Sequence, residues 1–138
     1  MACVLGCAGA VQAGTIGQTV FDIEARHGND PEQVIQRLHG IEAQARTAGG
    51  DDLRIFLAAW GYAHAALDKP AVADAAVEEL TELGERGRND AALASAYTLK
   101  ATLLQYAGQV RAAYGWVDQA ARLLANHDEQ SGQAVRAA

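Results

Sequence analysis

Apolar positions recur every three or four residues along most of this chain, which is the period of a helix with one buried side. Ile16, Val20 and Ile23 mark one side of a helix predicted over Thr15 to His27. Gly28-Asn29-Asp30-Pro31 interrupts it, with Asp30 placed to cap the next helix and Pro31 in its first turn. Val34, Leu38, Ile41 and Ala45 then form a single stripe on a second helix of about sixteen residues, ended by Ala48-Gly49-Gly50. Asp51-Asp52 is placed to cap a third, which carries Ile55, Phe56, Ala59, Trp60, Ala63 and Leu67. Asp68-Lys69-Pro70 opens a fourth with Val72, Ala73, Ala76, Val77, Leu80 and Leu83, closed by Gly84 to Asn89. Asn89-Asp90 caps a fifth, marked by Leu93, Ala96, Tyr97, Ala101, Leu103 and Leu104, which Gly108 ends. A sixth runs from Gln109 to Ala125 and is expected to bury Ala113, Trp116, Val117, Ala120, Leu123 and Leu124. Asp128 would then cap a short C-terminal stub. No strand-like alternation interrupts this order, and the short breaks make consecutive helices antiparallel neighbours.

Two of these segments echo each other. Trp60-Gly61, Asp68, Ala73, Val77 and Leu80 stand in the same relative order as Lys100-Ala101, Gly108, Ala113, Val117 and Ala120. Asp52, Asp90 and Asp128 are spaced 38 residues apart, and Pro31 and Pro70 are 39 apart. A fixed interval of this size is the signature of stacked helix pairs, each too small to bury its apolar face alone.

The stretch from Tyr97 to Leu124 resembles a tetratricopeptide repeat. Tyr97, Ala101, Leu104 and Gly108, then Ala113, Val117 and Ala120, stand where that family has an aromatic, a small residue, a large one, glycine, alanine, a large apolar residue and alanine. Leu57, Trp60-Gly61, Ala73 and Val77 form a second copy, in which Asp68 replaces the turn glycine and Leu80 replaces alanine. Val34 to Ala45 looks like the second helix of an earlier, decayed copy. The resemblance implies an all-α fold: a right-handed superhelical stack of antiparallel helix pairs, an α-solenoid of about six helices plus the stub. It divides the chain into residues 1–13, an apolar leader, and 14–138, the repeat domain, with the clearest repeats at 52–87 and 90–126. The long interval is similar to the variety found in bacterial signalling proteins.

In that family the first helix of each pair lines a concave groove for a protein or peptide. Carried onto this chain, the groove comprises Ile55, Ala58, Tyr62 and Ala65 from one copy, and Ser95, Thr98, Thr102 and Gln105 from the next. These side chains are neutral and mostly small. Members that grip a peptide's terminal carboxylate place lysine, arginine and asparagine there, and this chain does not. The plainer reading is that Ser95, Thr98 and Thr102 are a solvated helix face.

Composition narrows the function further. Half of the 138 residues are hydrophobic, only 6% are aromatic, and the net charge is −6. No basic stripe with interleaved aromatics exists, so nucleic acid is not an expected partner. His27, His39, His64 and His127 lack metal-ligand spacing, and a buried structural role suits His64 better than a site role. Glu78, Glu79, Glu82 and Glu85 read as the wet side of an amphipathic helix. No nucleophile elbow, phosphate loop or other catalytic constellation appears, and no cofactor is implied.

Both cysteines, Cys3 and Cys7, lie at the N-terminus, and Ala2 to Ala13 is apolar apart from Gln12. The run resembles the end of a secretory signal peptide with Val11-Gln12-Ala13 as a cleavage site, although a basic segment before it is missing. The alternative is simply a greasy N-terminus and a cytoplasmic protein. At twelve residues the run is too short to span a membrane, which takes roughly 20. The expectation is therefore an exported, non-enzymatic module that binds a protein or peptide. The alternative is the periplasmic sensory part of a longer membrane-bound signalling enzyme, a diguanylate cyclase or histidine kinase. With no polar capping helix, the last repeat face is also free to self-associate.

Overall fold

The computed structural model describes residues 15–137, and over that range the protein is all-α, with no strand among the described residues. The helices are α1 (Thr15–His27), α2 (Pro31–His39), α3 (Glu42–Ala48), α4 (Gly50–Ala66), α5 (Pro70–Gly87), α6 (Asp90–Tyr106) and α7 (Val110–Ala137). The apolar leader, with both cysteines and the proposed cleavage site, lies outside the described residues.

Local chemistry sets most of the boundaries. Asp30 has extended backbone and its Oδ1 accepts from the Gln33 N–H at 3.3 Å, while Pro31 occupies the first turn of α2. Asn89 does the same for α6, its Oδ1 accepting from the Ala92 N–H at 3.1 Å. The α3–α4 corner needs both its glycines: Gly49 (φ +62°) and Gly50 (φ +52°) occupy backbone conformations that a Cβ penalises.

Three boundaries differ from the sequence reading. The expected second helix is two helices, because the backbone leaves the α path at Ile41, between α2 and α3. Ile41 N–H bonds to Leu38 O, a tighter turn, and its own ψ is 3°. Asp51 and Asp52 are not caps: Gly49 is the N-cap of α4 and makes no side-chain bond, so both aspartates lie in the first helical turn. There the free N–H groups and helix dipole favour a carboxylate, even though Asp52 is buried. No new helix begins at Asp128, because α7 is continuous through Ala137. α5 ends at Gly87, within the expected Gly84 to Asn89 segment.

Helices pack on their neighbours along the chain, and α3 packs on α4. α1 and α2 pack together and α4 lies on both. α5 packs on α4, α6 lies on both α4 and α5, and α7 packs on α6. One core runs through these layers, with Val20, Leu38, Phe56, Leu57, Leu80 and Leu99 its largest fully buried side chains. Small residues set the spacing. A Cβ at Gly84 would stand 2.5 Å from Leu93 Cγ, so α6 approaches α5 only because that position is bare. Val117 and Leu124, expected inside, are 49% and 47% exposed, because no later element of the described chain covers their side of α7.

Candidate binding groove

The helices α1, α4 and α6 lie side by side, with α4 between the other two. The strip they form contains the residues the resemblance assigns to a groove, but two of the eight are not free to line one. Ala65 is only 5% exposed and belongs to the core of α4. Ile55 is half-buried under α1: a Cβ at Gly17 would lie 3.1 Å from Ile55 Cδ1, so α1 closes over this end of the strip. Ala58 and Ser95 are half-buried, and Thr98 and Gln105 are exposed.

Tyr62 and Thr102 are brought together from α4 and α6. Burial pushes the Tyr62 phenol above its ordinary range, and the neighbouring Thr102 hydroxyl opposes that shift. Glu24 of α1 and Tyr106 of α6 are close enough to raise it further. Glu24 is itself pushed upward by partial desolvation, an expected effect for a carboxylate taken partly out of water.

Glu24 and Tyr106 were not among the groove residues expected from sequence, and nor was Phe21. The resemblance places only Val34 to Ala45 in an earlier copy and leaves the first helix outside it. Yet Gly17, Phe21 and Glu24 follow at spacings of four and three, one side of a helix, and Gly17 and Glu24 face α4. Phe21 stands between them, 65% exposed, and Tyr106 is 66% exposed. The strip therefore carries two aromatic rings, Tyr62 of α4 and Tyr106 of α6, and α1 beside it exposes Phe21.

Its hydrogen-bonding character follows from the threonines. Thr98 Oγ1 donates to Ala94 O at 2.8 Å, and Thr102 Oγ1 to Thr98 O at 3.1 Å. The exposed Thr98 spends its proton on the helix and keeps its lone pairs as acceptors, while the half-buried Thr102 also serves Tyr62. Beside Tyr62 a cleft of about 120 Å³ opens between Glu24, Pro31, Val34 and Ala63. Small-molecule sites occupy roughly 300–1,000 Å³, so this cleft suits one inserted side chain and not a metabolite.

The remaining sequence candidates fall elsewhere. His64 is buried on α4, 7% exposed, with neither ring nitrogen hydrogen-bonded. Its ring meets Trp60 edge-on at 4.5 Å, and Trp60 stacks on Phe56. Glu78, Glu82 and Glu85 are exposed, but Glu79 is not part of a plain wet face: it takes a two-pronged bond from Arg46. Among the described residues no three His, Cys, Asp or Glu side chains gather as a metal site, and no helix is long and apolar enough to cross a membrane. The chain matches no protein-family model, no curated protein and no solved structure.

Proposed function

We propose that this chain is a non-enzymatic, tetratricopeptide-like repeat module that holds a peptide along the strip formed by α1, α4 and α6. The carrying observation is the meeting of Tyr62 of α4 with Thr102 and Tyr106 of α6 and Glu24 of α1. Aromatic rings with polar tips provide contact area at little entropic cost and are frequent anchors of protein recognition. The repeated placement of α4 on α1 and α2, and of α6 on α4 and α5, supports the stacked-pair reading.

The chemistry of the strip favours an extended segment bearing apolar side chains, one of which enters the cleft beside Tyr62. Outward acceptor oxygens suit donors on the peptide, and Glu24 suits a basic residue near the cleft. Among the described residues no lysine or arginine lines the strip to grip a carboxylate.

Peptide display against the protein tests this reading. Selected peptides are expected to lose about tenfold or more in affinity, roughly 1.4 kcal/mol, for a Thr98→Glu, Tyr106→Ser double variant. Both positions are exposed, so the fold is expected to persist by circular dichroism. Peptides that bind wild type and variant equally would overturn the proposal.

A further inference from the structure

We infer that the cleft beside Tyr62 takes the side chain of a peptide lysine, its apolar stem inside and its ammonium on Glu24. The inference rests on the peptide-holding reading of the strip and names the residue that anchors the peptide.

The cleft is apolar within and carries a single charge. Val34 of α2 and Ala59 and Ala63 of α4 are buried, and they line it together with Pro31. Small residues keep it hollow, since Gly28, Ala59, Ala63 and Ala66 leave space that larger side chains would fill. Glu24 and Tyr62 complete the lining, and Glu24 is the only ionisable carboxyl among these residues. The exposed Glu24 stands at the solvent side of the cleft, and the buried residues form its inner part.

Glu24 has no cation of its own. None of the ion pairs among the described residues includes it, and no lysine, arginine or histidine lines the cleft. Glu79 on α5, by contrast, already holds the fork of Arg46. Glu24 is also partly desolvated, which pushes its carboxyl above the ordinary range. A carboxylate so placed gains from an incoming cation, through charge and through donors that the lost water no longer supplies.

Lysine satisfies the walls and the carboxylate with one side chain. A wholly apolar side chain would fill the cleft but take Glu24 further out of water with no partner, which is costly. An arginine would bring five donors to a cleft with one charged acceptor. Lysine lays a flexible hydrocarbon stem along apolar surface and keeps a compact charge at the water boundary. Tyr62 adds an aromatic wall, which a cation also favours.

Peptides selected by display and synthesised with an acetylated N-terminus are expected to share a lysine at one position. Changing it to norleucine, the same stem without the ammonium, is expected to weaken binding about tenfold on the wild type and less than about twofold on Glu24→Gln. Position 24 is exposed, so circular dichroism of the variant should match the wild type. As a probe free of any peptide, n-butylammonium chloride should shift the amide resonances of Val34 and Ala63 in the wild type. Neither n-butanol on the wild type nor n-butylammonium on Glu24→Gln should do so. Peptides that the Thr98→Glu, Tyr106→Ser variant weakens, but that tolerate norleucine, overturn the lysine assignment and leave the groove standing. Peptides that need both lysine and Glu24 but ignore that double variant support the cleft and overturn the groove. An equal norleucine loss on wild type and Glu24→Gln places the ammonium elsewhere and overturns the inference.

Discussion

Gly61 of α4 faces Leu99 of α6 at the closest approach of those two helices: a Cβ on Gly61 would fall inside contact range of Leu99 Cδ2 and lie 3.2 Å from the Ala76 Cβ of α5. Leu99 is fully buried and has nowhere to retreat. Gly61→Ala is therefore expected to destabilise the fold by about 1–3 kcal/mol through overpacking, although alanine ordinarily improves a helix interior by about 1 kcal/mol. Gly115 of α7 is the control, with nothing within 4 Å of its Cβ position. Gly115→Ala should stabilise by roughly 0.5–1 kcal/mol. Urea unfolding of the two variants gives the signs, and an equal stabilisation by both would refute the close approach.

The same contact shows what a sequence conveys and what it conceals. Helix positions were legible because period and punctuation agree: Ile16, Val20 and Ile23 lie inside α1 as expected, and Asp30 with Pro31 opens α2. The kink at Ile41 was hidden because the stripe from Leu38 to Ala45 keeps its phase across it. The end of α5 within Gly84 to Asn89 was legible, but not that Gly84 is bare for Leu93. Val117 and Leu124 read as buried because periodicity marks an apolar side without saying whether anything covers it. Of the candidate groove, the sequence spacing put Tyr62 and Thr102 on facing helices, where they are neighbours, but Ala65 and Ile55 are taken up by packing that spacing cannot foresee. Phe21 and Glu24 became visible only once α1 was seen to lie beside α4.

His64 predicts a pH dependence. Burial lowers its pKa from the ordinary 6.5, and Lys69 lowers it further. The folded-state value lies below the unfolded one, so the neutral ring is the form the fold favours. Its contribution is complete above about pH 6.5 and is lost as pH falls below that value towards the folded-state pKa. His64→Phe should flatten the loss of stability between neutral and mildly acidic pH. It should also cost little at neutral pH, since it removes two unbonded ring nitrogens. Thermal melts across that range, wild type against variant, read out the difference, and parallel curves would exclude His64 as the source.

Arg46 joins α3 to α5. Its Nη1 and Nη2 donate to the two carboxylate oxygens of Glu79 at 2.7 and 3.2 Å, and its Nε donates to Glu42 at 3.0 Å. The bonds hold the guanidinium charged well above the usual range, the Glu79 bond being the largest influence. The pair is solvent-accessible, so Arg46→Ala is expected to cost only about 0.5–1 kcal/mol. Arg46→Lys should recover little of it, because an ammonium cannot make the fork. The cost should shrink in high salt, which denaturation at two ionic strengths measures.

Asn89 carries two interactions at one corner. Its Oδ1 caps α6 through the Ala92 N–H, and its Nδ2 donates to Asp51 Oδ1 at 3.3 Å, tying the start of α6 to the start of α4. Asp51 is held below the ordinary carboxylate range by Arg54 first and by Asn89 second. Asn89→Ala loses both bonds and should destabilise by about 1 kcal/mol. Asn89→Asp keeps the cap, since a carboxylate is as good an acceptor there, but sets a second negative charge against Asp51. One of the two carboxyls must then titrate at a higher pH than in the wild type. At neutral pH Asn89→Asp should lie between wild type and Asn89→Ala. Its deficit against wild type should narrow as pH falls through the carboxylate range, because protonation removes the repulsion while wild type loses the benefit of its ionised Asp51. Urea unfolding of the three proteins at neutral and acidic pH makes the comparison, and a deficit for Asn89→Asp that does not depend on pH would rule out the Asp51 contact as its cause.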